Sequence, residues 1–338
     1  MVNEVVFNTF TKPMNEQRNA QLDNVKALLI FLVVAGHCYE FYMAKSQALA
    51  AITTFIYSFH MPLFVFVSGY LSKNLSKVRD RAFIDLFILY LIFNSGYYIL
   101  ESVLRHKFIF SVFKPGWTLW YLLSLFIWRI LLKDLVNTRF ILPISIILFL
   151  IVGCFKDVDT YFSLSRTISF LPFFLLGYFA TEDHIQKVNK IPIAVPLVVL
   201  PSLAIWYYFI DTSFDLKLFM HHSKPYDAFE LRFRMGILYK IMSFLLAIVT
   251  SVLVYRIAPR KQFSMTRLGA STLFIYLLHP YLVRVLYKFI PLTSESSVAI
   301  MLILIAPFII TGILSIPQLE RAFNYIIQKT KSTVLKVV

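Results

Sequence analysis

Leu22-Asp23-Asn24-Val25-Lys26, an unbroken apolar run over residues 27–35, and then Gly36-His37-Cys38-Tyr39-Glu40 form the stretch on which the fold turns. A bilayer crossing takes about 20 residues at about 1.5 Å rise each, and residues 24–43 meet that length. Nine further stretches do so, or nearly so: 51–71, 83–104, 117–132, 140–155, 167–180, 191–210, 236–257, 270–290 and 298–317. The fourth to sixth are short, and one of them could be re-entrant. All ten are continuously apolar rather than alternating, which excludes the strands of a membrane barrel. The expected fold is all-α: a single polytopic membrane domain over 1–338 with about ten transmembrane helices.

Composition agrees. Of 338 residues, 59% are hydrophobic and only 15% charged, with mean hydropathy +0.72. A soluble domain runs nearer 45–50% apolar and about 25% charged, so a soluble enzyme and a disordered chain are both excluded. Phe 34 and Tyr 19 are many and Gly 9 few. Packing is therefore expected to rest on bulky side chains rather than on close small-residue crossings. The net charge of +15 would suggest nucleic acid in a soluble protein. Here the Lys and Arg residues lie between apolar spans, where topology and anionic lipid explain them, so no nucleic-acid partner is expected. Cys38 and Cys154 sit inside apolar spans and show neither a disulfide framework nor a metal-ligand spacing.

Lys and Arg also set orientation. With the N-terminus in the cytoplasm, the inner segments hold Lys12, Arg18, Lys26, Lys73, Lys77, Arg79, Arg81 and Arg129 among others, and the outer ones clearly fewer. An even number of spans leaves both termini cytoplasmic. The N-terminal segment 1–20 and the tail 318–338 then lie inside, and the loop 211–235 lies outside. That loop is densely polar, with Asp211, Asp215, His221, His222, Lys224, Asp227, Glu230, Arg232 and Arg234.

Ionisable groups within spans are costly in hydrocarbon and tend to face a cavity or a partner. His37 follows Lys26 by eleven residues, about 16 Å along a helix. With Lys26 at the cytoplasmic mouth, His37 falls near the midplane. Glu40 shares its helix face and is placed to orient the imidazole. His60, in Ser58-Phe59-His60-Met61-Pro62-Leu63-Phe64, and His279, in Leu277-Leu278-His279-Pro280, fall at similar depth. Pro62 removes a backbone donor and can leave a carbonyl free beside a cavity. If their helices adjoin, the three histidines build a polar chamber; otherwise each makes a separate interhelical hydrogen bond.

These residues carry a resemblance. Lys26-x10-His37 after Leu22-Asp23, Phe59-His60-Met61-Pro62-Leu63-Phe64 and Ser68-Gly69-Tyr70 resemble membrane-bound acyltransferase family 3, in particular its fucose 4-O-acetylase-like branch of surface-glycan O-acetyltransferases. Trp120-Tyr121-Leu122-Leu123-Ser124-Leu125-Phe126, Arg166 ahead of Phe173-Phe174-Leu175-Leu176-Gly177-Tyr178, and Gly269-Ala270-Ser271-Thr272-Leu273 leading to Tyr276-Leu277-Leu278-His279 are similar to the same family. The resemblance spans roughly residues 18–290. It implies ten or so helices and transfer of an acyl group, usually acetyl from cytoplasmic acetyl-CoA as co-substrate, onto a carbohydrate, with no permanently bound cofactor. It implies essential roles for Lys26 and His37 and a multi-pass protein of a bacterial plasma membrane. One departure is that the Arg-x-x-Arg of many relatives is missing; Arg79-Asp80-Arg81 and Arg232-Phe233-Arg234 are spaced differently.

Acyl transfer from a thioester to a sugar hydroxyl needs a base for the hydroxyl proton and donors for the developing oxyanion. His37 is the expected base, with Glu40 beside it. His60, His279, Tyr39 and Tyr276 are the candidate donors. The phosphates of CoA favour cations at the cytoplasmic mouth, which nominates Lys26 with Asp23, Arg79, Arg81 and Arg129. Trp120, Arg166 and Arg234 are the expected acceptor-side contacts. The competing reading is a transporter or flippase of a glycan or small solute, which midplane histidines and proline-broken helices also suit, although no inverted repeat is visible.

Overall fold

The computed structural model describes residues 19–158, 161–210, 216–289 and 297–335. The N-terminal segment through residue 18, with Lys12 and Arg18, and the loop residues Asp211 and Asp215 lie outside the described residues. Among those described there are fourteen α-helices and no strand. They are α1 (Ala20–Tyr39), α2 (Gln47–Tyr70), α3 (Leu75–Ala82), which runs through a π-helical turn at Phe83–Phe87 into α4 (Ile88–Leu104), α5 (Trp120–Asn137), α6 (Ile141–Ile151), α7 (Leu164–Phe179), α8 (Glu182–Asn189), α9 (Ala194–Phe209), α10 (Leu216–Met220), α11 (Phe233–Ile257), α12 (Thr272–Phe289), α13 (Ser297–Leu314) and α14 (Pro317–Leu335).

Among the described residues, each of the ten apolar stretches is mostly helical. Five helical segments are long and apolar enough to cross a membrane alone: Ala20–Lys45, Gln47–Tyr70, Leu75–Leu104, Tyr161–Phe179 and Phe233–Ile257. The number rises to seven if the pairs α8–α9 and α13–α14, bent by 83° and 61°, each count as one span. The other helices fall short for reasons visible in their residues. The α5 helix carries Arg129, Lys133 and Asp134, the α12 helix carries His279, Arg284 and Lys288, and α6 is brief.

Side-chain caps start several helices, supplying acceptors for backbone amides that the first turn leaves unpaired. Asn19 accepts from the Leu22 amide at 3.1 Å, Ser46 from Leu49 at 3.4 Å, and Asn74 from Lys77 at 3.2 Å. Burial then sorts the bundle. The apolar window of Gln47–Tyr70 is 78% buried inside the protein, against 33% for Phe233–Ile257 and for Leu75–Leu104. Thus α2 is the central post, flanked by α1 and α7, while α4 and α11 turn much of their surface outward. Leu197, Val198 and Phe209 on α9 are likewise exposed, as lipid-facing side chains of a spanning helix would be.

Two sequence expectations need correcting. Glycines are few, yet they make the tightest crossing. A Cβ at Gly69 of α2 would overlap the Phe174 carbonyl of α7, and one at Gly177 of α7 would overlap the Phe66 carbonyl of α2. The backbones of the two helices meet there, which bulky residues would prevent. Of the segment 318–338, expected as a tail, the described residues 318–335 belong to helix α14. Its Phe323 packs on Phe93 and Phe274, and Lys331 pairs with Asp85 in the π-helical turn at 2.6 Å. The amphipathic pattern of α14 has an apolar face to bury, and α4 and α12 receive it.

Candidate active site

The end of α1 closest to Glu40 meets the middle of α2 and of α12, and this brings the three histidines together. Gly36 makes the approach possible, because a Cβ there would lie 3.1 Å from the Tyr57 ring. The His37 and His279 rings stack with centroids 5.5 Å apart, and Trp117 packs edge-on to His37 at 4.7 Å. Around them lies a narrow chamber of about 50 Å³. Tyr57, His60 and Met61 of α2, Thr118 and Trp120 at the start of α5, Arg166 and Phe170 of α7, Tyr276 of α12, and Met220 and His221 of the 211–235 segment line it.

Glu40 anchors a hydrogen-bonded relay. Its carboxylate accepts from the Trp117 indole at 2.9 Å and from the Tyr57 hydroxyl at 2.6 Å. Tyr57 Oη also lies 3.1 Å from His37 Nδ1. Tyr57 has one proton, and Glu40 takes it, so His37 Nδ1 must be the donor in the second bond. That fixes the tautomer. His37 Nε2 then carries the lone pair, and Glu40, 3.6 Å from Nδ1, stands ready to stabilise the imidazolium formed when Nε2 takes a proton.

The other two histidines differ. His60 Nδ1 lies 2.7 Å from the Ile56 carbonyl, and His279 Nδ1 lies 3.1 Å from the Ile275 carbonyl. A carbonyl only accepts, so both Nδ1 atoms are protonated, and in the neutral ring each Nε2 is left as an acceptor. Neither ring has a carboxylate relay. They cannot serve as the expected oxyanion donors in that form. The Tyr276 hydroxyl donates to the Thr118 carbonyl at 2.5 Å, and Tyr39 is not among the lining residues, so those two candidates fall as well.

Part of the segment expected as an outer loop, Met220 to Ser223, is drawn into the bundle. His221 packs on Tyr57 with centroids 4.7 Å apart, and its carbonyl accepts from Arg166 Nε at 3.3 Å. His222, at φ 52°, turns the chain so that its Nδ1 accepts from the buried Lys240 ammonium of α11 at 3.0 Å, while its carbonyl accepts from Ser165 at 2.7 Å. Burial, reinforced by the Arg166 guanidinium, holds the His221 imidazole well below the usual histidine range. Burial and the Lys240 ammonium do the same for His222.

The expected acceptor-side residues divide. Arg166 lies over the Trp120 ring at 5.1 Å, and both line the chamber. Arg234 is exposed at the start of α11 and does not line it. The expected donor residues divide too. Lys26 pairs with Asp23 at 2.7 Å, and Asp23 lines a polar cavity of about 470 Å³ with Thr266, Arg267, Ser271 and Glu320. Arg79 lies 3.8 Å from Asp134 on the surface, and Arg81 is exposed. Arg129 is half-buried on α5, with a buried Nε that lacks a hydrogen-bond partner.

Sequence reading did not single out Tyr57, Trp117, Thr118 or Arg267 for these positions. Tyr57 stands three residues before His60 on the same helix face, a signal that was legible. Trp117 and Thr118 lie between helices, where no periodicity points to a partner. A Cβ at Gly269 would overlap the Asp23 carbonyl, which shows how closely the segment bearing Arg267 is laid against the start of α1. Asn24 secures it, donating to the Pro259 and Lys261 carbonyls at 2.7 and 3.0 Å and accepting from Thr266 at 2.6 Å.

The family model described as acyltransferase domain matches residues 19–317. No curated protein and no solved structure matches the chain. The matched range takes in the relay, the stacked histidines and the polar cavity at the start of α1, and it decides for acyl transfer over transport. The chain belongs to acyltransferase family 3 and is a membrane acyltransferase.

Proposed function

We propose that the protein is an O-acyltransferase that moves an acetyl group from cytoplasmic acetyl-CoA to a hydroxyl of a surface glycan, or of its lipid-linked precursor, in a bacterial plasma membrane. The observation that carries this reading is His37: one imidazole of three has its Nδ1 proton engaged by a tyrosine–carboxylate relay and its Nε2 left basic. In the reaction, His37 Nε2 takes the proton of the sugar hydroxyl as the oxygen attacks the thioester carbonyl. Collapse of the tetrahedral species expels the CoA thiolate, which recovers that proton from the imidazolium. Glu40 and Tyr57 stabilise the cation in between.

CoA phosphates suit the cavity of Asp23 and Arg267 with Lys26 beside it, because charge-assisted bonds to phosphate are the strong ones. The pantetheine arm then has about 16 Å to run along α1 to reach His37. Trp120 and Arg166 suit a sugar, through ring stacking and hydrogen bonds. The test is [14C]acetyl-CoA with purified protein and surface glycan. Wild type should label the glycan and His37→Ala should not, while Lys26→Ala raises the KM for acetyl-CoA. Full transfer by a folded His37→Ala variant ends this mechanism.

A further inference from the structure

Acyl transfer needs a donor aimed at the oxyanion, and the chamber holds few. Three hydroxyl-bearing residues, Tyr57, Thr118 and Tyr276, are among those that line it, beside the cation Arg166. Tyr57 donates to Glu40, and Tyr276 donates to the Thr118 carbonyl. Trp117 gives its indole proton to Glu40. Thr118 is the hydroxyl without a partner: its Oγ1 is buried and unbonded, on a residue only 3% exposed. An unpaired buried hydroxyl is destabilising, and a bound acceptor offsets that cost.

We propose that Thr118 is a catalytic residue whose hydroxyl donates a hydrogen bond to the oxyanion formed in acyl transfer; the proposal rests on the acyl-transfer reading of the chamber. Position supports it. Thr118 follows Trp117, which packs against His37, and its carbonyl is pinned by Tyr276 of α12. A β-branched side chain on a pinned backbone has few rotamers, so the donor is preorganised, as electrostatic stabilisation requires. In the step itself, the acceptor oxygen bonds to the thioester carbon and passes its proton to His37 Nε2. The carbonyl π pair moves onto oxygen, where Thr118 Oγ–H meets it. When the carbonyl re-forms, the C–S bond breaks and the thiolate takes the proton back. The products are the acyl ester and free CoA.

Thr118→Val removes the hydroxyl and keeps the shape, and Thr118→Ser restores it. Both are assayed in nanodiscs with [14C]acetyl-CoA and a mixture of methyl glycosides, reading labelled ester and free thiol. Thr118→Val should lower kcat about 100- to 1000-fold with the KM for acetyl-CoA unchanged and the melting temperature unchanged or higher, because an orphaned polar group is gone. Thr118→Ser should stay within about tenfold of wild type. A structural hydroxyl would instead lower the melting temperature. Activity of Thr118→Val within about threefold of wild type overturns the proposal, as does a loss that Ser does not rescue. It is also overturned if Trp120→Phe, and not Thr118→Val, removes kcat. Failure of wild type to label any acceptor refutes the acyl-transfer reading itself, a separate result.

Discussion

Three imidazoles lie close together, His37 and His60 on the chamber and His279 stacked behind His37, and it is hydrogen bonding rather than proximity that separates their roles. His60 and His279 give their Nδ1 protons to carbonyls of their own helices, whereas His37 gives its proton to Tyr57 and through it leans on Glu40. Tyr57→Phe breaks that chain without emptying space. It should lower kcat about 100-fold and leave the KM for acetyl-CoA alone, as steady-state kinetics will show. The neutral pair His221–His222 leads to a prediction about stability. Their folded-state values lie below the usual histidine range, so the unfolded chain binds more protons once the pH drops below about 6.5. Stability is therefore intact above that pH and declines as pH falls through it. Thermal unfolding at pH 7.5 and 5.5 should show the loss, and a double His221→Asn, His222→Asn variant should flatten it. An equal loss in the variant would mean that other groups are responsible.

Helix pairs come next in scale, and the crossing of α2 with α7 governs the site from a distance. α2 carries Tyr57 and His60 and α7 carries Arg166, so their separation sets the width of the chamber. Gly69→Ala or Gly177→Ala would push a methyl group into the facing backbone carbonyl. Overpacking of this kind costs about 1–3 kcal/mol, and backbone on both sides leaves little room to relax. Each variant should melt several degrees lower in detergent. Gly312→Ala on α13, where nothing lies within 4 Å of the added Cβ, is the control and should melt like wild type. Glu101 of α4 makes a second brace. It is 3% exposed and accepts from Arg105 at 2.6 Å and from Arg284 of α12. Glu101→Gln leaves a cation poorly paired and should destabilise by about 3 kcal/mol, measured by denaturant or heat.

For the whole molecule, two polar regions stand at opposite ends of α1. The Asp23–Lys26 end opens on the Arg267 cavity, and the Glu40 end opens on Arg166 and the inserted 216–231 segment. The excess of Lys and Arg on one set of connections predicts that the first end faces the cytoplasm. Cysteines at Ser332 and Lys224, introduced after Cys38→Ser and Cys154→Ser, should therefore label from opposite sides, Ser332 from inside. Labelling of both from one side reverses or breaks that topology.

The all-helical membrane character follows from sequence alone, because a continuous apolar run of about 20 residues has few other places to go. The candidacy of His37, Glu40, His60 and His279 is equally legible, since ionisable groups in hydrocarbon are too costly to be incidental. What separates base from bystander is decided by tertiary structure. His37 differs from His60 and His279 through Tyr57, Trp117 and the direction of one hydroxyl proton, and those partners come from elsewhere in the chain. The same holds for Gly69 and Gly177, rare residues that matter because two distant helices meet at them. Likewise 211–235 and 318–338 look like a loop and a tail by polarity, yet His221 lines the chamber and α14 rests Phe323 on Phe93 and Phe274 at the surface of the bundle. Polarity along a chain reports the cost of burying each residue, and partners brought by other helices decide whether that cost is met.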